Sequence, residues 1–324
     1  MTSNWSARSA TAADLGAWLA FASAQAVARW PAPLRLLPAD ISWQLLGRAP
    51  DENVRLYFLG TDLVGYASLQ GNDTLQLDAT DGVMDPAWLR DVLAWAVALR
   101  RAHPPGYPFY LDVESMDEWA AWLREPRPHP LAKHRYLFVS AFEGEPLQRW
   151  LQREGFATLS HFEPHLRFES EWPAAPAHPR FRVAPVAPDE HEARVAVHRA
   201  AWAPSAGFTE ASYAAVRALS NYTPALDLLL RDSDGTPAAC AIAWADERSG
   251  VGMIEPFGTH PDYRGTGASA VLMQAALAAL GARGMSAVRL YTAGFNRGAR
   301  RFYTAQGFVE TSRSHTMRLE VTAR

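Results

Sequence analysis

The sequence predicts an α/β protein with a mixed sheet, built from two tandem domains. The chain has 324 residues, which is more than a single hydrophobic core usually organises. Segments with strand and helix patterns alternate along it instead of forming separate blocks, as is typical of an α/β fold. The second half repeats the order of these segments, so we expect two copies of one domain rather than an array of short repeats.

The first half is predicted to begin with helices and to continue through strands. Apolar residues at helical spacing predict a helix over residues 12–30, which Pro31 ends because proline cannot continue a helix. Pro86 takes the favoured first turn of a second long helix, over residues 86–101. The other predicted elements are short helices at 39–46, around Trp119 and at 147–153, and strands at 54–59, 63–70, 74–77, 107–113, 157–160 and 165–168.

A proline-rich segment separates the halves. Residues 171–179 contain three prolines and are predicted to link a domain at 1–170 to a domain at 180–324. The elements predicted after it are strands at 181–185, 226–231, 238–244, 252–255 and 287–291, and helices at 189–202 and 210–219.

The composition of the chain argues against several classes of partner and site. A formal net charge of −3 argues against nucleic acid as the main partner. The single cysteine, Cys240, allows no intrachain disulfide and no cysteine-rich metal site, and we expect no metal. The sequence shows neither a long apolar span nor a secretory signal. We therefore expect a cytoplasmic protein without membrane partners, and the sequence leaves its oligomeric state open.

The segment from Glu255 to Ser269 has the pattern of a phosphate site. A buried strand is predicted before it and an apolar helical pattern follows it. Between them, Gly265 and Gly267 leave the backbone free to turn towards a ligand. Such a turn presents unpaired N–H groups and the positive end of the helix dipole, and Arg264 adds a full positive charge. The sequence therefore predicts that this turn binds phosphate.

The turn resembles a motif of the GNAT superfamily, the acyl-CoA-dependent N-acyltransferases. Arg264-x-x-Gly267-x-Ser269 is similar to the R/Q-x-x-G-x-G/A pyrophosphate loop of that family, and Ser269 departs from the pattern. A second stretch, Asn296 to Phe308, is similar to the family's N-x-x-A-x-x-x-Y-x-x-x-G-F element, which lies beside the thioester. Two motifs in the family's order support the resemblance over residues 180–320.

The resemblance implies a reaction and a set of binding residues. It implies transfer of an acetyl group from acetyl-CoA to a primary amine of a small molecule, in a layout similar to that of the mycothiol synthases. The pantetheine arm is expected to pair with free backbone groups beside the turn. The implied cofactor-binding residues are Phe257, Gly258, Thr259, Arg264, Gly265, Thr266, Gly267, Ala268, Ser269 and Asn296.

Two residues are candidates for proton transfer. Tyr303 is at the position of the family's general acid, and a free phenol has a pKa near ~10, which suits a thiolate leaving group. Glu255 ends an apolar strand, where apolar walls raise the pKa of a carboxyl towards that of a general base. A solvated or salt-bridged carboxylate at this place is an equal alternative, and His260 is a second candidate base. Pro256 has no N–H, so the strand ladder is expected to break near it.

The first half is predicted to be an inactive copy. Gly155-Phe156 and Gly307-Phe308 correspond at a constant spacing, and that spacing places Leu151 opposite Tyr303. Leucine cannot donate a proton. The first half also lacks the arginine turn, since its strand-to-helix segment, residues 78–85, carries carboxylates that would repel a pyrophosphate.

Three classes of function remain open at this point. The first is an acetyltransferase with one active site, in which the amine attacks directly because no cysteine or serine is placed as a nucleophile. The second is an acyl-CoA-binding sensor or regulatory protein without turnover. The third, a purely structural protein, gives no reason for the arginine turn and the Tyr303 element to occur together.

Overall fold

The computed structural model describes residues 5–45, 50–205 and 207–322 and contains one sheet of twelve strands. The strands are β1 (Ser6–Ser9), β2 (Val54–Leu59), β3 (Asp62–Gln70), β4 (Thr74–Ala79), β5 (Tyr136–Phe142), β6 (Ala157–Phe168), β7 (Arg182–Pro185), β8 (Asp227–Arg231), β9 (Pro237–Asp246), β10 (Val251–Thr259), β11 (Ala287–Tyr291) and β12 (Val309–Glu320). The helices are α1 (Leu15–Arg29), α2 (Pro38–Leu45), α3 (Pro86–Ala102), α4 (Met116–Arg124), α5 (Pro146–Arg153), α6 (His191–Ala201), α7 (Glu210–Arg217), α8 (Ala268–Ala282) and α9 (Arg297–Ala305). The mixed α/β architecture expected from the sequence is therefore confirmed.

The two halves share this sheet by exchanging their last strands. The strand order is β1-β2-β3-β4-β5-β12-β6-β11-β10-β9-β8-β7. Strand β12 of the second half lies between β5 and β6, while β6 of the first half lies between β12 and β11. All of these pairings are antiparallel. Each half therefore completes its sheet with a strand from the other.

Two hydrophobic cores lie on the sheet, and each includes a residue from an exchanged strand. The core of the first half is built on β3 to β5, α3 and α5, and it includes Met317 of β12, which is fully buried. The core of the second half is built on β8 to β11 and α8, and it includes Phe168 of β6. Burial of apolar side chains is the main stabilising contribution to such a fold, so the two cores depend on each other's strands.

A third cluster places part of the first half over the sheet of the second. Side chains from α1, α2 and the connection between them pack against Val216 and against β9 and β10. The second half therefore has α2 of the first half as a neighbour on one face of its central strands. This contact brings residues of both halves to the site described below.

Most of the elements expected from the sequence are confirmed, with small differences at their ends. The strand expected at 107–113 is wrong. Pro108 has no N–H to donate to a ladder, and residues 109–112 form a 3₁₀ turn instead. Tyr107 and Leu111 of this segment pack on Tyr136 and Phe138, which belong to the real strand, β5.

Two further details differ from expectation. The strands expected at 157–160 and 165–168 are one continuous strand, β6. The helix expected at 39–46 is α2, and position 46 lies outside the described residues. Residues 171–179 have no regular secondary structure, and their role as the boundary between two domains stays a prediction. Within the described ranges, no helix is long and apolar enough to cross a membrane.

Candidate active site

A gap in the sheet opens between β10 and β11. These parallel strands pair only from Val251 to Met253, opposite residues 287–289. Beyond Met253, β10 continues to Thr259 along β9, and its register shifts between Ile254 and Phe257. This irregularity is the break expected at Pro256. Because Phe257 to Thr259 pair with β9 on one side only, their backbone on the β11 side is available to an extended ligand.

The expected phosphate turn leads into α8 as the sequence indicates. Gly265 and Gly267 have φ angles of 79° and 93°, in the left-handed region that glycine adopts without strain. Gly267 is the residue before the helix, and no side chain caps the first turn of α8. Ala268, the first helical residue, is fully buried. The first N–H groups of a 15-residue helix are thus directed at the turn without a capping side chain.

Three side chains hold this turn in place. Arg264 is exposed, and its Nη2 donates to the carbonyl oxygen of Ala201 at 2.8 Å. Thr266 Oγ1 donates to Tyr263 O at 2.7 Å, and the hydroxyls of Ser269 and Thr259 are 2.8 Å apart. The turn is therefore fixed to α6 and to β10, with the Arg264 guanidinium at its surface.

The corresponding turn of the first half is closed to an anion. Asp85 precedes α3, and its carboxylate accepts from the backbone N–H groups of Ala87 and Trp88, both at 2.8 Å. A carboxylate thus occupies the position where a phosphate would contact the helix. Leu151, which corresponds to Tyr303, is buried in the core of the first half. The chemistry of this donor set does not fit a pyrophosphate.

Tyr303 lies on α9, in contact with the irregular part of β10. It packs against Phe257, with ring centroids 6.4 Å apart, and against Phe302 and Phe308. Burial, together with the negative charge of Glu255, raises the pKa of Tyr303 to about 12. The phenol is therefore protonated at neutral pH.

Asn296 begins the helix that carries Tyr303. Its Oδ1 accepts from the backbone N–H of Ala299 at 3.1 Å, so the side chain caps α9. The cap uses the side-chain oxygen rather than the amide nitrogen. The expected contact of Asn296 with the cofactor stays a prediction. The structure adds a second role for this residue, which is to cap α9.

Glu255 is held at the irregular part of β10. Its carbonyl oxygen accepts from Trp244 Nε1 at 2.6 Å, which fixes the backbone there. Burial and the nearby Asp40 raise the pKa of the Glu255 carboxyl to about 7, and Glu163 adds to the effect. The neighbouring hydroxyl of Tyr291 and the charge of Arg289 oppose the shift. A carboxyl with such a pKa exchanges a proton readily at neutral pH.

Sequence reasoning missed the residues that set the environment of Glu255. Asp40 of α2 accepts from Arg289 Nη2 at 2.5 Å, and Tyr291 Oη donates to the other carboxylate oxygen of Asp40 at 3.3 Å. Arg289 is buried and also donates to Leu34 O at 2.7 Å. These residues are far apart in the sequence, and no local pattern indicates their convergence. His260, the other candidate base, instead accepts from the backbone N–H of Asp262 and caps a short turn.

Comparison with known proteins agrees with this geometry. The chain is similar in fold to a GCN5-related N-acetyltransferase of Sphaerobacter thermophilus, with 17% identity, a TM-score of 0.62, and coverage of 99% of this chain and 97% of that chain. It is also similar to a tandem GNAT protein from the clavulanic acid biosynthesis pathway, with 17% identity, a TM-score of 0.64, and coverage of 98% and 99% of the two chains. At such identities the likeness establishes the fold, and the resemblance to mycothiol synthases stays a prediction. No curated protein sequence matches the chain.

The family relationship is found in the second half. The model of the acetyltransferase (GNAT) family matches residues 191–308. This segment contains the glycine turn, the gap beside β10 and the helix of Tyr303. Proteins of this fold use acetyl-CoA as co-substrate. Residues 191–308 thus match the acetyltransferase (GNAT) family, and the whole chain has the fold of a tandem GNAT protein.

Proposed function

We propose that the protein is an acetyl-CoA-dependent N-acetyltransferase with one active site, in the second half, that acts on a primary amine of a small molecule. The observation that carries the proposal is the contrast between two helix N-termini. The N-terminus of α8 has no capping side chain and has Arg264 beside it, whereas Asp85 closes the N-terminus of α3. Only the first can accept the pyrophosphate of an acyl-CoA.

The gap between β10 and β11 offers a place for the part of acetyl-CoA that extends from the phosphates to the acetyl group. Bound acetyl-CoA would supply the activated acetyl group, with its phosphates at residues 264–269. The free backbone of Phe257 to Thr259 would align the extended arm, as in the addition of a strand. These contacts would fix the donor beside Glu255 and Tyr303, which lowers the entropic cost of reaction.

Glu255 and Tyr303 would divide the proton transfers between them. The Glu255 carboxylate would take a proton from the ammonium form of the acceptor, because its pKa of about 7 lets it be deprotonated yet basic. The Tyr303 hydroxyl, protonated at neutral pH, would give a proton to the departing sulfur, and the attacking nitrogen would give its second proton to the resulting phenolate as the amide forms. The amine would attack directly, since the one cysteine of the chain, Cys240, is fully buried on β9.

Calorimetric titration of acetyl-CoA tests the binding site. We expect one equivalent to bind, and Arg264→Glu to weaken binding by at least tenfold because it replaces attraction with repulsion at the turn. The matched control is Arg297→Glu, at an exposed arginine of α9 outside the turn. Two equivalents would show that the first half also binds, and absence of binding would refute the transferase.

A turnover assay separates the enzyme from a sensor that binds acetyl-CoA without using it. We expect Glu255→Gln and Tyr303→Phe to retain acetyl-CoA binding while losing most of the release of free CoA in the presence of amines. Retained binding with no turnover by the wild-type protein, over a broad panel of amines, would favour the sensor.

A further inference from the structure

A large cavity lies on the sheet between the two halves. Its volume is about 710 Å³, within the range of sites that hold a small molecule. Gln76, Phe138 and Ser140 line it. Leu75 and Val139, which alternate with them and also border the cavity, have their side chains in the core under α3, on the other face of the sheet. The cavity therefore lies on the face of the sheet opposite α3.

The cavity adjoins the proposed reaction centre. Its walls include Tyr291 of β11, Asp40 of α2 and Glu163 of β6. These are the residues whose hydrogen bond or charge acts on the carboxyl of Glu255. An acceptor in this cavity would thus reach Glu255 from the side of α2. Because β6 and α2 come from the first half, both halves would contribute to its recognition.

The charged groups of the cavity favour a cation. Three carboxylates line it, those of Asp40, Asp73 and Glu163, against one guanidinium, that of Arg35. Arg35 is already engaged with Glu145 at 2.8 Å, and Asp40 is paired with Arg289. Glu163 forms no ion pair or side-chain hydrogen bond with any other residue of the described ranges. An unpaired carboxylate in such a cavity gains from a cationic partner.

The two histidines of the cavity do not change this balance. Burial lowers the pKa of His165 to about 3, with a further contribution from Arg289, and burial also lowers the pKa of His161. Both imidazoles are therefore neutral near pH 7 and add no positive charge. Glu163 stays available for a ligand.

Aromatic side chains provide the rest of the wall. Tyr107, Tyr110, Phe138 and Phe142 line the cavity together with the carboxylates. Such rings suit a hydrocarbon segment and, at their faces, a cation. A ligand that matches the cavity therefore has a cationic group, an apolar segment, and a reactive amine that reaches Glu255.

We propose that this cavity binds the acceptor, and that the acceptor is a primary amine carrying a second cationic group on an apolar spacer, with Glu163 binding the second cation. The proposal rests on the acetyltransferase function proposed above. It assigns Glu163 a role in specificity, in contact with the end of the acceptor that does not react.

Three acceptors of equal length test the preference for a dication. Putrescine, n-pentylamine and 5-aminovalerate share a reactive amine and a spacer of four methylene groups, and end in a cation, a methyl group and a carboxylate. The same comparison with spacers of six methylene groups covers a longer distance between the reactive amine and the second cationic group. We expect kcat/KM to fall in that order, by at least tenfold from the diamine to the monoamine, as one charged contact provides. Equal values, or a preference for the amino acid, would overturn the proposal.

Glu163→Gln tests the residue while preserving its shape. We expect the preference for the diamine over the monoamine to fall at least tenfold, mainly through KM. Glu169→Gln is the matched control, since Glu169 follows β6, is exposed and does not line the cavity; it should keep the wild-type preference. An unchanged preference in the Glu163 variant would refute its role.

A binding measurement distinguishes failure of this inference from failure of the proposed function. Hexamethylenediamine is titrated calorimetrically into the wild type and into Glu163→Gln, with CoA present, and acetyl-CoA is titrated separately. Weaker diamine binding to the variant supports the inference. Normal acetyl-CoA binding without diamine binding overturns the inference alone, and loss of acetyl-CoA binding refutes the proposed function.

Discussion

Glu255 shows how a residue acquires its chemistry from distant parts of the chain. Its place at the end of an apolar strand is visible in the sequence. Its raised pKa, however, depends on burial and on the charge of Asp40, which lies more than two hundred residues earlier. The pKa of Glu163 is also raised to about 7, by burial and by the charge of Asp40, while the charge of Arg289 opposes the shift.

This environment predicts the pH dependence of the reaction. A general base acts when deprotonated, so kcat/KM should fall as the pH drops below about 7, the pKa of Glu255. Glu255→Gln should lower kcat/KM by roughly 10²–10⁴-fold and remove this acidic limb. Stopped-flow or endpoint detection of free CoA across pH provides the measurement.

The control for this prediction is Glu247→Gln. The side chain of Glu247 is 73% exposed and pairs only with Arg283, so its replacement should preserve the profile. An acidic limb that persists in the Glu255 variant would assign the base to another group, and Glu163 would then be the next to replace.

At the residue scale, the sequence predicted the motifs whose residues are close together in the chain. It did not predict the groups of residues that only the fold brings together. The turn at 264–269 and the helix of Tyr303 depend on residues close in sequence, so their spacing already indicates their function. Asp40, Glu163 and Tyr291 come together only through the shared sheet. Nothing in the surrounding sequence distinguishes Glu163, which lies between the segments 157–160 and 165–168 whose patterns predict two separate strands.

At the scale of elements, helices α3 and α8 show that the same strand-to-helix connection can either close a helix N-terminus or leave it open to an anion. Both follow a central strand of their half. A carboxylate closes α3, whereas glycine and arginine leave α8 open to an anion. The first half, which we predict not to bind acyl-CoA, thus has at this place a capping interaction that stabilises its helix.

That interaction has a measurable energy. Asp85→Ala should lower the free energy of unfolding by about 1 kcal/mol, because two backbone N–H groups lose their acceptor. Acetyl-CoA affinity and stoichiometry should not change, since the open turn is in the other half. Denaturant titration provides the first quantity and calorimetry the second.

Asp81→Ala is the control, because Asp81 is an exposed residue of the same segment without a capping role. A loss of stability equal to that of Asp85→Ala would show that the carboxylates act through their charge alone. A gain of a second acetyl-CoA equivalent in the Asp85 variant would contradict the view that the first half lacks a binding site.

The sequence predicted most helices and strands, but around residues 107–142 it did not predict which segment joins the sheet. The strand expected at 107–113 has the aromatic residues of a strand, yet it crosses the sheet as a turn and lies beside the cavity. Its three nearby prolines, at 104, 105 and 108, were a signal that backbone donors were missing. The true strand, β5, follows α4, and the sequence analysis did not predict it.

At the scale of the whole molecule, the exchanged strands should make the two halves unfold together. Met317 of β12 is buried in the core of the first half, and Phe168 of β6 in that of the second. Replacing either by alanine should cost roughly 2–5 kcal/mol and lower one common unfolding transition. Differential scanning calorimetry tests this through the agreement of calorimetric and van't Hoff enthalpies.

Val309→Ala provides the control on β12, because Val309 is 64% exposed and its replacement should change stability by less than about 0.5 kcal/mol. Two separate transitions, with each core mutation shifting only one, would show that the halves are independent despite their shared sheet.

The exchange also constrains how the chain reaches its native state during synthesis. Strand β5 emerges from the ribosome early, but the strand beside it, β12, is made more than one hundred and fifty residues later. The first half therefore cannot complete its sheet until β12 has been synthesised, and it exposes an open strand edge until then. A polypeptide in that condition is a natural client for chaperones that shield unpaired strands.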